Sequence, residues 1–493
     1  MNTVPQMFHA VAMRNASRTA VVDGELAVTY AELEDRVSAL AGALHDSGVR
    51  LGDRVGLMLR NSLDFVVSYR AICALGAVVV PLNEHYQKAE LLYFMNACAV
   101  SLLITSQEFA SLCQKVVSGY QASCGLILVD EARWQLRTRS IPLQDLWRKI
   151  DPDAPLMLQF SSGSTGTPKK IARTHRHLLY ELDSLVHALD VKNTDRFIGV
   201  APFSHVNGLV RSMMCSQHAG AALYPVAQFE RRAVAGLVED SRISVFIAVP
   251  FMFSTLAQGR FYRRPDFSSL RYCISSSAPM PSKHNRQFHE RFGMYVRQLY
   301  GSTETGTISV NLGHDIENTL DSVGTPIRGV EVEVFADDGR IAEPGSMGEF
   351  AVKSPTAISG YQSLEELNKQ VFRNGYFFIG DLGKKDDQAR LYLIGRKKFF
   401  INKAGFKIDP REIEELLESH HKVDEVVVIG VPRAYGDEKV KAIIVPSAPC
   451  TEDEIVSYCR GRIADFKIPS VVEFRDSLPK SPTGKIRRAM LQD

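Results

Sequence analysis

The residues best able to do chemistry stand in the segment 156–170, LMLQFSSGSTGTPKK. An apolar run leads straight into Ser161, Ser162, Gly163, Ser164, Thr165, Gly166 and Thr167, followed by Pro168, Lys169 and Lys170. A loop of such small residues can bring backbone N–H groups and hydroxyls around phosphate oxygens, while lysine adds charge. A flexible Ser/Gly linker has a similar composition. Linkers rarely join a buried strand to a basic helix start, however, and 175–189 has the pattern of a helix. No G-x-x-x-x-G-K-[ST] occurs in the chain, so the loop is not of the Walker type.

Further segments of unusual composition follow. They are PFSHVNGL (202–209), SSSAPM (275–280), YGSTETG (300–306), GYFFIGDLG (375–383), GRKKFFINKAGFKIDPREIE (395–414) and PKSPTGKIRR (479–488). In this order, across essentially the whole length, they resemble the adenylate-forming superfamily of acyl-CoA synthetases, stand-alone adenylation enzymes and firefly-type luciferases. The phosphate loop of that family, S-S-G-S-T-G-x-P-K-G, is matched from Ser161 to Lys169.

The resemblance implies ATP-dependent activation of a carboxylic acid to an acyl-adenylate, with release of pyrophosphate, and then thioester formation with coenzyme A. It gives Glu304 the role of ligand to Mg2+, Thr303 that of α-phosphate contact, and Tyr300 with Gly301 the adenine face. Ser277, Ala278 and Pro279 would line the adenine edge. Asp381 would accept both ribose hydroxyls, which suits its two acceptor oxygens, with Arg396 beside the ribose or phosphate. Lys485 would bridge the acid and the α-phosphate. His205 would form a wall of the acid pocket, with Ser275, Ser276, Phe251 and Met252 as further lining. Lys398 would be a hinge, and Gly405 would let a pantetheine arm pass. Three positions depart from the family pattern: Lys170 replaces a glycine, Ile379 a Thr or Ser, and Phe399 an acidic or small polar residue.

No acidic residue occurs between Pro202 and Gln217, where amino-acid-activating relatives carry an aspartate for the α-ammonium. That argues against an amino-acid substrate. Arg211 reads either as a partner for a second carboxylate or as half of a structural ion pair. The acceptor is coenzyme A or, alternatively, the phosphopantetheine of a separate carrier protein, because the chain has no G-G-x-S-like carrier site. A non-catalytic acyl or nucleotide binder is a third reading, against which the joint retention of Lys169, Glu304, Asp381, Arg396 and Lys485 counts.

Positioning these groups requires an α/β body. The first helix is expected after Thr29, which forms a T-x-x-E capping box with Glu32; Leu33, Val37, Leu40 and Leu44 share one face. Strand-like 54–59, helical 64–74 and strand-like 77–81, 102–105 and 126–130 alternate, which favours parallel sheets flanked by helices. After about residue 320, the segments 330–335, 348–353 and 390–394 alternate at period two, as in a small antiparallel barrel or sandwich. Asp409 caps a helix that starts at Pro410, with the strand 426–431 behind it. The expected fold is a large N-terminal domain, 1–395, of two flanked sheets plus a small β-barrel-like subdomain. A small mobile α+β C-terminal domain, 396–493, completes it.

Composition limits the partners. The 493 residues carry 58 basic and 56 acidic groups, a net charge of +2, so no basic field is available for a nucleic-acid backbone. The longest apolar stretch, 71–82, is too short to span a bilayer. The N-terminus lacks the pattern of a secretory signal. The 8 cysteines are scattered without metal spacing, as expected of buried thiols in a cytoplasmic protein.

Overall fold

The computed structural model describes residues 2–120, 123–129, 143–161, 168–362, 364–399, 401–403, 406–432, 438–480 and 486–491. The chain divides into two compact units. One is built from the described residues up to 161, 168–331 and Lys353–Gln370; the other comprises Val332–Val352 and the described residues from Val371 onward.

The first unit holds two sheets. In one, the strands Gly125–Leu128, Leu102–Thr105, Arg54–Met58, Val78–Pro81 and Pro155–Ser161 lie parallel in that order, and Lys169–Thr174 closes the edge antiparallel. The VVVP and LLIT runs are buried on both faces, which is why they read as continuous apolar stretches rather than alternating ones. In the second sheet, Thr19–Asp23, Ala222–Pro225, Arg196–Gly199, Val245–Ala248, Tyr272–Ser275 and Arg297–Ser302 run parallel. Gly306–Val310 then turns back antiparallel on Arg297–Ser302.

Two expectations change here. The helix Tyr30–Asp46 has its capping box, but it is not the first: Val4–Arg14 precedes it. That helix buries Val4, Met7, Phe8 and Val11 and is entered through Thr3 with Pro5 in its first turn. The second change concerns the phosphate loop. The helix His175–Ala188 starts where its pattern placed it, capped by Thr174, but Lys169 and Lys170 before it begin the strand Lys169–Thr174. The loop therefore joins two antiparallel strands. KKIART buries Ile171 and Arg173 and leaves the residues between them half-buried, a period-two pattern that the two lysines disguised as a basic helix start.

The second unit contains the run Glu331–Phe335, Gly348–Lys353, Tyr376–Lys385 and Leu391–Arg396, the last three antiparallel to one another in turn. Asp381 lies within the strand Tyr376–Lys385, although a Gly-Asp pair ordinarily marks a turn. Gly380 has φ +80°, and the register with Leu391–Arg396 shifts just past Asp381, so the strand is bulged there. Farther along, Val423–Pro432 and Glu438–Pro446 pair antiparallel and Val471–Phe474 joins parallel. The helix Pro410–Glu418, capped by Asp409, packs Ile413 and Leu417 against Val426, Val428, Val440 and Ile444.

Candidate active site

In the first unit the site is organised around the hairpin that carries YGSTETG. Thr303, Glu304 and Thr305 form its tip between Arg297–Ser302 and Gly306–Val310. Within the tip the Thr305 N–H donates to Ser302 Oγ at 3.1 Å, and from outside the Ile358 N–H donates to the Glu304 carbonyl at 2.9 Å. The Thr356 hydroxyl donates to the Thr305 carbonyl. Tyr361, from the same segment, donates its hydroxyl to Glu304 Oε1 at 2.9 Å. The Lys169 ammonium stands 4.8 Å from the centre of the Tyr361 ring, in cation–π reach. A carboxylate, a tyrosine and the loop lysine are thus brought together from three segments far apart in the chain.

A buried charge network supports the hairpin from behind. Arg173 and Glu181, each 0% exposed, pair at 2.8 Å. Arg173 Nη1 donates to the Thr303 carbonyl at 3.2 Å, and Glu181 Oε1 accepts both the N–H and the hydroxyl of Thr307 at 2.8 Å. Arg211, 3% exposed, donates from Nε to Thr307 Oγ1 at 3.2 Å and from Nη1 to Ser276 Oγ at 2.7 Å. Burial works to raise the Glu181 carboxyl, but Arg173, Arg211 and Thr307 outweigh it and hold it below the usual range. Burial brings the Arg211 guanidinium down to about 10, still charged at neutral pH. Glycine is required at two positions of the hairpin. A Cβ on Gly306, at φ +70°, would lie 2.5 Å from Glu181 Oε2, and one on Gly301 would lie 2.5 Å from Arg211 Nη2.

Arg211 belongs to Asn207–Met214, which winds as a π-helix with every residue buried. Such segments are rare and concentrate at functional sites. Just before it, His205 Nε2 lies 3.2 Å from the Asn83 amide nitrogen, which has only protons to offer, so Nε2 accepts and Nδ1 carries the proton. Burial pulls this imidazole down to about 4, so it is neutral at pH 7. Asn61 fixes the approach to it, donating to the carbonyls of Gly199 and Ala201 at 2.9 Å and accepting from the Phe203 N–H at 2.8 Å.

In the loop after Tyr272–Ser275, Ser277 has φ +77°, a strained conformation for a residue with a Cβ. Ser277 and Pro279 are exposed, Ala278 is half-buried, and Gln298 anchors the loop by accepting the Met280 N–H at 2.9 Å. Tyr300 is buried and Gly301 half-buried. Of the expected acid-pocket lining, Ser275 and Ser276 are buried, Met252 packs into the hydrophobic core, and Phe251 is 52% exposed. Lys170 is engaged elsewhere, donating to the Ala97 carbonyl at 3.1 Å.

In the second unit, Asp381 and Arg396 are register partners on neighbouring strands, and Arg396 Nε meets Asp381 Oδ1 at 2.8 Å. Phe399 lies under the Arg488 guanidinium at 5.6 Å. Ser161 ends the strand Pro155–Ser161, and Lys398 belongs to the short 3-10 turn Lys397–Phe399. Ser162, Gly163, Ser164, Thr165, Gly166, Gly405 and Lys485 lie outside the described residues. Asn61, Asn83, Arg173, Glu181 and Tyr361 escaped the sequence reading. Only Tyr361, following Gly360 in a polar stretch, left a visible mark there.

Magnesium suits this donor set. It favours one or two carboxylates with substrate phosphate oxygens over an all-protein cage. Among the described residues no group of three or more His, Cys, Asp or Glu could hold a metal, whereas Glu304 is one carboxylate oriented by Tyr361.

Comparison with known proteins identifies the family. The model of the AMP-binding enzyme matches residues 8–362, and that of the AMP-binding enzyme C-terminal domain matches 412–485. Feruloyl-CoA synthase of an Amycolatopsis species is 31% identical, over 95% of this chain and 94% of its own. A long-chain-fatty-acid–CoA ligase of Bacillus subtilis is 28% identical, over 98% and 93%. The structure of o-succinylbenzoate CoA synthetase from Bacillus subtilis, solved with its acyl-adenylate intermediate, superposes with a TM-score of 0.89 at 28% identity, covering 99% of this chain and 98% of that one. The chain belongs to the AMP-binding enzyme family.

Proposed function

We propose that this protein, an AMP-forming acid–thiol ligase, activates a small carboxylic acid with ATP and passes the acyl group to coenzyme A. The observation that carries the reading is the convergence of Glu304, Tyr361 and Lys169 at the YGSTETG hairpin. In the first half-reaction a carboxylate oxygen attacks the α-phosphorus, the bond to the bridging oxygen breaks, and pyrophosphate leaves. Charge repulsion and the charge developing on the phosphoryl oxygens are the obstacles, so positioning and electrostatics are what the protein must supply.

The residues divide that work. The loop from Ser161 to Thr167 and Lys169 receive the β- and γ-phosphates. Glu304, oriented by Tyr361, would hold Mg2+, which neutralises phosphate charge when bound. Thr303 donates to the α-phosphate, and its own carbonyl is kept in place by Arg173. Tyr300 and Gly301 face the adenine, with Ser277, Ala278 and Pro279 at its edge. Asp381 accepts the ribose hydroxyls, and Arg396 holds that carboxylate in position. His205, neutral and fixed by Asn83, forms the pocket wall beside the acyl group. Lys485 bridges the acid and the α-phosphate.

In the second half-reaction the thiolate of coenzyme A adds to the acyl carbonyl, and the carbon–oxygen bond to AMP breaks. Residues 396–493 act here as a separate domain turning about Lys398, with Gly405 beside the pantetheine arm.

The test separates the half-reactions. Lys485→Ala should abolish acid-dependent pyrophosphate exchange, yet leave transfer from a supplied acyl-adenylate to coenzyme A largely intact. Normal exchange in this variant would refute the role of Lys485. Supplying a phosphopantetheinyl carrier protein in parallel identifies the acceptor. Transfer to the carrier but not to coenzyme A would overturn that part of the reading.

A further inference from the structure

Arg211 is a buried cation whose charge its surroundings do not match. The ion-pair alternative fails on geometry, because among the described residues no carboxylate lies within 4.0 Å of its guanidinium. The nearest acid in the network, Glu181, is paired with Arg173 and reaches Arg211 only through the Thr307 hydroxyl. Within this network, two arginines and one glutamate therefore leave one positive charge unmatched among the described residues. Desolvating such a charge is unfavourable unless an anion completes it.

The hydrogen-bond inventory points the same way. Arg211 uses Nε on Thr307 and Nη1 on Ser276, while Nη2 donates to no described group and lies beside Gly301. Ser276 receives one of these bonds and so keeps its own proton to donate. Ser275 Oγ, Asn207 Oδ1 and Ser212 Oγ, in the same two segments, are buried and have no hydrogen-bond partner among the described residues. Gly301 is two residues from Thr303, where the reacting carboxylate must meet the α-phosphate. Two residues of extended chain span about 7 Å, which sets the scale of a molecule touching both places.

We propose that Arg211, with Ser276 beside it, receives a second anionic group at the far end of the acid, and that the substrate is a compact dicarboxylic acid. This rests on the ligase reading above and narrows it. A guanidinium offers a carboxylate two parallel N–H donors, and a site built to bond a polar group strongly rejects an analogue that lacks it. Arg211 is thus a specificity residue, distinct from the groups that act on ATP.

The experiment compares matched acids in pyrophosphate exchange with the full-length enzyme. The pairs are butyrate with succinate, valerate with glutarate, hexanoate with adipate, and benzoate with phthalate; palmitate and ferulate serve as large monoacids. The expected result is a kcat/KM at least about tenfold higher for the diacid in one or more pairs. Arg211→Leu should reverse that preference, and Arg211→Lys should retain part of it, each variant being checked for an unchanged melting profile. If the leucine variant does not fold, the wild-type ratio and the lysine variant decide. A monoacid preferred in every pair, or the best activity with palmitate or ferulate, would overturn the inference while upholding the ligase. A leucine variant with the wild-type ratio would also overturn it. Exchange with no acid at all would refute the ligase reading and this inference with it.

Discussion

Tyr361 serves two partners at once: its hydroxyl orients Glu304 and its ring face receives Lys169. Phenylalanine would keep the ring and remove only the bond to the carboxylate. A hydrogen bond to a charged group contributes about 1.5–3 kcal/mol. Tyr361→Phe should therefore raise the Mg2+ concentration for half-maximal exchange by about tenfold or more, read from initial rates across a magnesium titration. An unchanged magnesium dependence would contradict the role of Glu304. His205 supports a second expectation at this scale. With its imidazole brought down to about 4 by burial, its ring-carbon chemical shift should stay constant between pH 5 and pH 8. These supporting side chains were hidden in the sequence for a physical reason. Tyr361 lies 57 residues from Glu304 and Asn83 lies 122 from His205, so only folding makes them neighbours. Glu304 itself was legible because its neighbours in YGSTETG must be small: side chains on Gly301 or Gly306 would collide with Arg211 or Glu181.

The helix His175–Ala188 reaches the hairpin through Glu181, which joins it to Arg173 on the adjoining strand and to Thr307 beyond the tip. Glu181→Gln preserves the shape but leaves Arg173 and Arg211 buried without a counter-charge. Breaking a buried pair from one side costs about 3–5 kcal/mol, and a urea melt should show a loss of that size. Lys398→Pro is expected to spare pyrophosphate exchange and impair thioester formation, because proline would stiffen the proposed hinge. Equal loss in both assays would contradict the turning of 396–493. Elements with one dominant signal were readable in advance: the capping box of Tyr30–Asp46 and the Asp409–Pro410 start of Pro410–Glu418 are both present. Lys169–Thr174 was not, since two adjacent lysines obscure a period-two strand that is only six residues long. The strand position of Asp381 is hidden for a related reason. A Gly-Asp pair signals a turn, yet here Gly380 serves a bulge that keeps Asp381 opposite Arg396.

At the scale of the molecule, three imidazoles share one acid-sensitive feature. Burial brings His175, His177 and His205 down to about 4, well below the ordinary 6.5. Between those values the unfolded chain binds protons that the folded chain refuses, so stability falls as pH drops from about 6.5 towards 4. Protonation of His175 would also break its acceptance of the Val4 N–H at 3.3 Å, which ties down the N-terminal helix. The melting temperature should decline over that window, and His177→Asn should make the decline shallower. A flat profile from pH 6.5 to 4.5 would contradict the shared burial. The family was readable from the order of motifs along the chain; Arg211 stayed open there between a second carboxylate and an ion pair, because Arg211, Ser276 and Gly301 become neighbours only when strand, loop and π-helix meet. The thiols, finally, equip the protein with its own stopwatch. Cys73, Cys98, Cys113, Cys215, Cys273 and Cys459 are buried and unpaired, and burial pushes Cys98 up to about 12 and Cys459 up to about 11. A thiol-specific dye can modify them only as fast as the surrounding structure opens. Its slow phases would then time the breathing of each unit, Cys459 reporting on one and Cys73, Cys215 and Cys273 on the other, with no engineered label.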